Sequence, residues 1–228
     1  MKDKEIVLGL SRFEKKLYFW VPMVLGGMLG WFIPVISDLL LKLPVVPWGG
    51  IIEFIASLNS LWFSIVASII GIIVGIIWTL IIYNESLEIK INFENLQLKI
   101  DDKIDTIDKK DISAIYIDYN QLVILGESSN QLYREVLDAK KETAQEAFNL
   151  FQYPWCEKDP YEGQYQRWVL GHPDFPEKIN ALLYAREITL REGKKKEAKY
   201  LQMDLAKLGV VIKDENNAQY VRLAKGIN

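Results

Sequence analysis

LYFWVPMVLGGMLGWFIPVISDLL (residues 17–40) and LWFSIVASIIGIIVGIIWTLIIY (residues 61–83) decide the architecture of this chain. As helices, both are long enough to cross a hydrocarbon core, which takes about 20 apolar residues. Core helices of soluble folds keep a polar face, and these runs have almost none. Between Leu61 and Tyr83 the polar groups are Ser64, Ser68, Thr79 and the ring heteroatoms of Trp62, Trp78 and Tyr83, and such hydroxyls can bond back to their own helix. A cleaved signal peptide fails on length, because its apolar region spans about 7–15 residues and no small-residue cleavage site precedes the second run. The expectation is a two-span membrane hairpin over residues 17–85, which says where the protein sits more clearly than what it does.

The flanking charges orient that hairpin. Lys2, Lys4, Arg12, Lys15 and Lys16 precede the first run, whereas the connection between the runs offers only Lys42, so the amino terminus is expected in the cytoplasm and two crossings return the carboxyl terminus there. Tyr18, Phe19 and Trp20, then Trp48 and Trp62, then Trp78 and Tyr83 fit aromatic belts at the two interfaces. Residues 1–16 read as a solvated leader whose charges set topology. An interfacial helix carrying Ile6, Leu8, Leu10 and Phe13 is the alternative.

Within the first run Pro22 falls near the helix start, while Pro34 is interior and should kink it. Gly26 and Gly30 are four apart, as are Ala67, Gly71 and Gly75 in the second run. Small residues at that spacing let two backbones approach closely, either span against span or, as the alternative, in a homodimer. Asp38 and Glu53 sit at the outer side, and an interfacial, hydrated position is expected for Asp38 rather than a transported-ion site. The connection carries Pro44, Pro47, Gly49 and Gly50, then an apolar Ile51–Leu58 that reads as a short interfacial helix.

After Ser86 the apolar period changes from helical to two. Leu87, Ile89 and Ile91, then Leu96, Leu98 and Ile100, alternate with polar residues around a turn at Phe93–Asn95. Further strands are expected at Ile112–Asp118, Gln121–Leu125 and Leu132–Val136. In KKETAQEAFNLF, Ala144, Ala147, Phe148 and Phe151 recur at helical spacing. Antiparallel strands closed by one amphipathic helix predict a small split barrel over 86–152. Residues 153–175 form a Pro- and aromatic-rich linker, read as a packed hinge. Trp155, Tyr161, Tyr165 and Trp168 lack the interleaved basic residues of a nucleic-acid stacking platform. Cys156, the single cysteine, and His172, the single histidine, have no evident orienting residue or oxyanion loop, so they carry no nucleophilic chemistry. Neither a metal site nor a cofactor is expected. Residues 176–228 read as a helical hairpin, Glu177–Glu192 and Lys194–Leu208 with Gly193 and Gly209 as stops, followed by two strands around Asp214–Asn217.

DKKDISAIYIDYNQLVILGESSNQLYREVL (residues 108–137), its following helix and YPW (residues 153–155) resemble the bacterial pleckstrin-homology-like domain of YqeB-type membrane proteins. That resemblance implies a fold and an anchored architecture rather than an activity. Pleckstrin-like barrels elsewhere bind phosphoinositides or peptides, and here Lys109–Lys110 is too small a patch for headgroup recognition. The tail is similar to the short carboxyl-terminal anticodon-recognition module of cysteinyl-tRNA synthetases through Ala185–Arg186, Ala198, Leu201, Leu205, Leu208–Gly209–Val210–Val211, Asp214, Tyr220 and Arg222. It departs from that pattern at Lys199 and Gln202. The catalytic and zinc machinery of a synthetase is absent from the sequence, so no aminoacylation is implied.

The fold class is therefore a membrane α-helical hairpin plus a soluble α+β part, in which a pleckstrin-homology-like split β-barrel with a C-terminal helix precedes a small helical-hairpin and β-ribbon module. Arg186, Arg191, Lys194, Lys195, Lys196 and Lys199 are the candidate residues for an RNA or anionic surface. The reading is a non-enzymatic, cytoplasm-facing binding or scaffold protein of the cell membrane with a bilayer and a cytoplasmic protein as partners. A membrane-tethered tRNA-binding factor is the alternative.

Overall fold

The computed structural model describes residues 5–42, 49–57 and 61–226. Lys2, Lys4, Pro44, Pro47, Trp48 and Leu58, which entered the sequence reading, lie outside them. The chain divides into two compact units. One comprises residues 9–88 and 99–103, and the other residues 1–8, 89–98 and 104–228.

The first unit is the apolar hairpin. Helix α1 (Arg12–Leu40) starts before the apolar run because Ser11 and Glu14 form a capping box, with Glu14 N–H donating to Ser11 Oγ at 3.2 Å and Ser11 N–H to Glu14 Oε2 at 2.8 Å. It continues through Pro22 and Pro34 without interruption. A short helix α2 (Gly49–Ser57) follows, then helix α3 (Leu61–Glu85). Both α1 and α3 are long and apolar enough to cross a membrane. Their buried positions are small or polar, Gly27, Gly30, Pro34 and Ser37 on α1 and Ala67, Gly75 and Thr79 on α3. Most of the Leu, Val and Trp side chains and about half of the Ile side chains are exposed instead, while Ile72 packs against Gly27.

All five small residues singled out in the sequence lie where α1 meets α3. A Cβ on Gly26 would overlap the Gly71 carbonyl, one on Gly71 the Gly26 carbonyl, one on Gly30 the Ala67 carbonyl and one on Gly75 the Pro22 carbonyl. Ser68 Oγ donates to Gly27 O at 2.9 Å, Thr79 Oγ1 lies 2.8 Å from Tyr18 O, and the Tyr83 hydroxyl donates to Lys15 O. Small residues let the backbones approach, and the approach puts these hydroxyls within reach of the opposite carbonyls.

The second unit begins with a correction. Residues 1–16 are not simply a leader, because Ile6–Leu8 form strand β1, paired antiparallel with β2 (Glu88–Ile91) in the register Ile6↔Ile91, Val7↔Lys90, Leu8↔Ile89. A three-residue strand carries too little alternation to be seen in isolation. The barrel consequently starts at residue 6 rather than 86, and the hairpin is the connection between two paired strands. β3 (Asn95–Ile100) and β4 (Lys103–Asp108) complete a sheet in the order β1-β2-β3-β4. β4, KIDTID, was also missed, since it is exposed at nearly every position and its isoleucines are three apart.

A second sheet, in the order β5-β6-β7, comprises β5 (Ile112–Asp118), β6 (Gln121–Gly126) and β7 (Gln131–Val136), and helix α4 (Lys141–Leu150) buries Ala144, Ala147 and Phe148. In β6 every residue from Leu122 to Gly126 is buried, which requires cover on both faces of the sheet. Ala114, Tyr116, Val123 and Leu125 share one face, and Cys156 and Tyr161 pack onto it. Thus the segment read as a hinge is woven into the barrel. Ile115 N–H donates to Pro154 O at 2.8 Å and Cys156 N–H to Ile115 O at 2.7 Å.

The distal part is a sheet in the order β8-β10-β9, formed by β8 (Gln166–Arg167), β9 (Val210–Glu215) and β10 (Ala218–Leu223), under helices α5 (Glu177–Arg191) and α6 (Lys195–Lys207). Asn216 and Asn217 at φ 49 and 60 form the tight turn between β9 and β10. Trp168 and Phe175, from the same supposed hinge, join Ile179, Leu183, Leu205, Val210, Ile212 and Val221 in the core.

Leu8 is fully enclosed, so Leu8→Ala is expected to cost the barrel about 3 kcal/mol. The measurement is denaturant unfolding of the detergent-solubilised chain, in which truncating a solvated leader residue would leave the midpoint unmoved.

Candidate binding surfaces

The six basic residues proposed from sequence do not form one patch. Arg186 is a correction to that set, being 2% exposed. Its guanidinium donates to Asp214 Oδ1 at 2.8 Å and Oδ2 at 2.5 Å, to Gln219 Oε1 at 2.7 Å and to Gln202 Oε1 at 3.3 Å, and Gln219 in turn donates to Leu183 O at 3.0 Å. A charge placed there is a strut between α5 and the ribbon, bidentate to the Asp214 carboxylate, and it is unavailable to a ligand. Of the others, Arg191 pairs with Glu187, Lys194 with Glu192 at 2.8 Å, and Lys199 reaches Glu135 on β7 at 2.5 Å. The hydrogen bond to Glu192 raises the Lys194 pKa. Lys195 and Lys196 are exposed and make no ion pair among the described residues. Residues 172–222 contain ten Lys and Arg against eight Asp and Glu, too even a balance to attract a polyanion strongly.

Sequence reasoning also missed a junction between barrel and ribbon. Asp159 Oδ2 accepts from the hydroxyls of Tyr116 and Tyr165, both at 2.8 Å. Burial, then Tyr165 and Asp159, push the Tyr116 pKa up, so the phenol remains a donor. The guanidinium of Arg222 on β10 donates to Ser129 O at 2.8 Å and lies over the rings of Tyr161 and Tyr165 at 4.6 and 5.4 Å. Lys225 N–H donates to Ser128 O at 2.7 Å. Here too the charged and aromatic residues hold the fold.

Cys156 packs on the barrel sheet, and burial and then Asp159 raise its thiol pKa, disfavouring the thiolate. His172 sits in the turn before α5, where Nδ1 accepts from Asp174 N–H at 3.3 Å and the ring contacts Phe175. The two residues serve separate local structures. Among the described residues no group of three or more His, Cys, Asp or Glu is placed to hold a metal ion.

Two clefts remain. One, of about 750 Å³, lies on the barrel between the Phe93–Asn95 turn, Asp108–Lys110 and Pro154. Both of its lysines are engaged, Lys109 with Phe151 O at 2.7 Å and the Tyr153 ring, and Lys110 with Asp108 at 3.6 Å. The second, of about 420 Å³, lies on the distal part and is lined by Arg167–Leu170, by Tyr184, Glu187 and Arg191 of α5, and by Asn217–Gln219.

Arg186→Gln removes the buried guanidinium and takes the charged donor from Gln219 Oε1, while the Asp214 carboxylate, 48% exposed, is taken up by water, so the cost is about 1.5–3 kcal/mol. The expected result is a lowered thermal transition for the distal part in circular dichroism, whereas Lys196→Glu leaves it unchanged.

Comparison with known proteins fits these boundaries. Residues 6–156, from β1 to the segment paired on β5, match the YqeB-like bacterial PH domain, and residues 172–222 match the cysteinyl-tRNA ligase anticodon binding domain. No solved structure matches the chain. A protein of Bacillus subtilis (strain 168) named "Uncharacterized protein YqeB" is 32% identical over 220 residues, covering 96% of this chain and 92% of that protein. With the barrel, the inserted hairpin and the distal module all inside that alignment, the chain belongs to the YqeB-like bacterial PH-domain family.

Proposed function

We propose that this chain is a two-span protein of the cell membrane that holds a cytoplasmic binding surface, built from the barrel and the distal module, close to the lipid. The carrying observation is the inside-out character of the hairpin. Its small and hydroxyl-bearing residues face each other and most of its large apolar side chains face outward. In water that surface would be far larger than the exposed patches soluble monomers carry, and in lipid it costs nothing.

The excess of basic residues before the first span, against Lys42 alone between the spans, orients both termini to the cytoplasm. Insertion between β1 and β2 gives the barrel two covalent attachments to the anchor. Such a barrel has no need of headgroup affinity to stay at the membrane, in keeping with the engaged Lys109 and Lys110. The small residues are already used between α1 and α3, so pairing of two chains would have to use other surfaces.

A second reading, RNA binding by the distal module, is favoured by its similarity to an anticodon binding domain. Its candidate contacts reduce to Lys195 and Lys196, so we place a protein partner first.

Sidedness is the direct test. In a Cys156→Ser background, a membrane-impermeant maleimide should label Lys42→Cys in intact cells and Gly226→Cys only after lysis. Labelling of Gly226→Cys in intact cells would overturn the topology.

A further inference from the structure

We infer that the cleft of the distal module takes an extended, acidic-apolar peptide segment of a partner protein, which adds alongside β8. The inference rests on the binding-protein reading above and names the chemistry of its partner.

Three observations converge on this occupant. β8 is an edge strand. Trp168 N–H donates inward to Gln219 O at 2.8 Å, and the alternation of an antiparallel ladder then turns the amide and carbonyl of Arg167 outward. β8 pairs only with β10 in its sheet, and no turn or loop bond among the described residues reaches these two groups. An open edge of this kind pairs with extended backbone.

Directly after it, Val169, Leu170 and Tyr184 line the same cleft while 54%, 67% and 45% exposed. Aliphatic and aromatic surface next to a free edge suits alternate apolar side chains of an added strand. The charge in the cleft is basic. Arg167 makes no ion pair among the described residues, and of Arg191 and Glu187 the latter only balances its neighbour. Carboxylates on the incoming segment would complement the unbalanced guanidinium.

This combination argues against the other occupant. A single RNA strand would use the rings and the arginines but not the backbone edge, and it would need more than one unbalanced cation to hold its phosphates. The segment that creates the cleft, Arg167–Leu170, also lies between the two stretches matched to known families. The proposed site is therefore formed where the two modules are joined.

The test uses the full chain in detergent and two fluorescein-labelled peptides, one alternating Asp with Leu and Phe, the other with Lys in place of Asp. Fluorescence anisotropy should show saturable binding of the acidic peptide and at least about five-fold weaker binding of the basic one. Arg167→Glu and Leu170→Ser should each weaken the acidic peptide at least about five-fold, while Lys99→Glu, exposed on β3 and outside the cleft, leaves it unchanged. Absence of acidic-peptide binding, equal binding of both peptides, indifference to Arg167→Glu, or tighter binding of a labelled single-stranded RNA lost with Leu170→Ser would each overturn the proposal. Because solubilised protein has no sidedness, these results are independent of the maleimide experiment, and either reading can fail alone.

Discussion

Strand β1 is three residues long, and its partner β2 arrives only after the whole apolar hairpin. A loop of that length closed at random would cost several kcal/mol of entropy, more than three residues of ladder return. Packing of α1 on α3 removes most of that cost. Thr79 at Tyr18 O and Tyr83 at Lys15 O join the two helices near the ends from which residues 9 and 88 emerge. An ideal Cβ on Gly9 would stand 3.2 Å from Leu87 O, so the chain leaves and returns at one place. The glycine interface between α1 and α3 thus brings the chain back to where the register Leu8↔Ile89 closes the first sheet.

The second sheet obeys a different constraint. With both faces covered, it buries Ile115, Leu122 and Ile124 as well as Tyr116, Val123 and Leu125. The outer cover is a stretch of chain without long elements of its own, and such a stretch must satisfy its backbone and polar groups locally. Its backbone pairs Trp155 with Ile115, two phenols share Asp159, and the Arg222 guanidinium stacks over Tyr161 and Tyr165, while the buried Trp155 Nε1 finds no acceptor among the described residues. Arg222 lies at the far end of the chain, so the last strand helps to cover the first domain. The barrel and the ribbon are consequently one compact unit even though they match two separate families.

These constraints also explain what the residues disclosed in advance. Helices and long strands announce themselves through period, and α1, α3, α5, α6, β2, β3, β5, β6 and β7 were legible for that reason. β1 and β4 were not, since one is too short to alternate and the other has no buried face. The pairing of residues across an 80-residue separation leaves no local trace. For the binding surfaces the sequence was a poorer guide. Arg186 and Lys199 look alike in a string of basic residues. Only the fold shows that Arg186 is buried against Asp214 while Lys199 ties α6 to β7.

The aromatic stretch from Phe151 to Phe175 was ambiguous for a physical reason as well. Its side chains face three environments in turn, with Tyr153 and Trp155 against Phe148, Tyr161 and Tyr165 around Arg222, and Trp168 and Phe175 inside the distal core. No single period describes a segment that changes its neighbours every few residues. The same changes of neighbour leave Val169 and Leu170 without cover, since Trp168 is drawn inward by its indole N–H bond to Asn180 Oδ1 at 2.8 Å and the chain turns immediately afterwards. Exposure of two aliphatic residues beside a free strand edge is therefore a consequence of how the joint is made, and among the described residues no second element closes it.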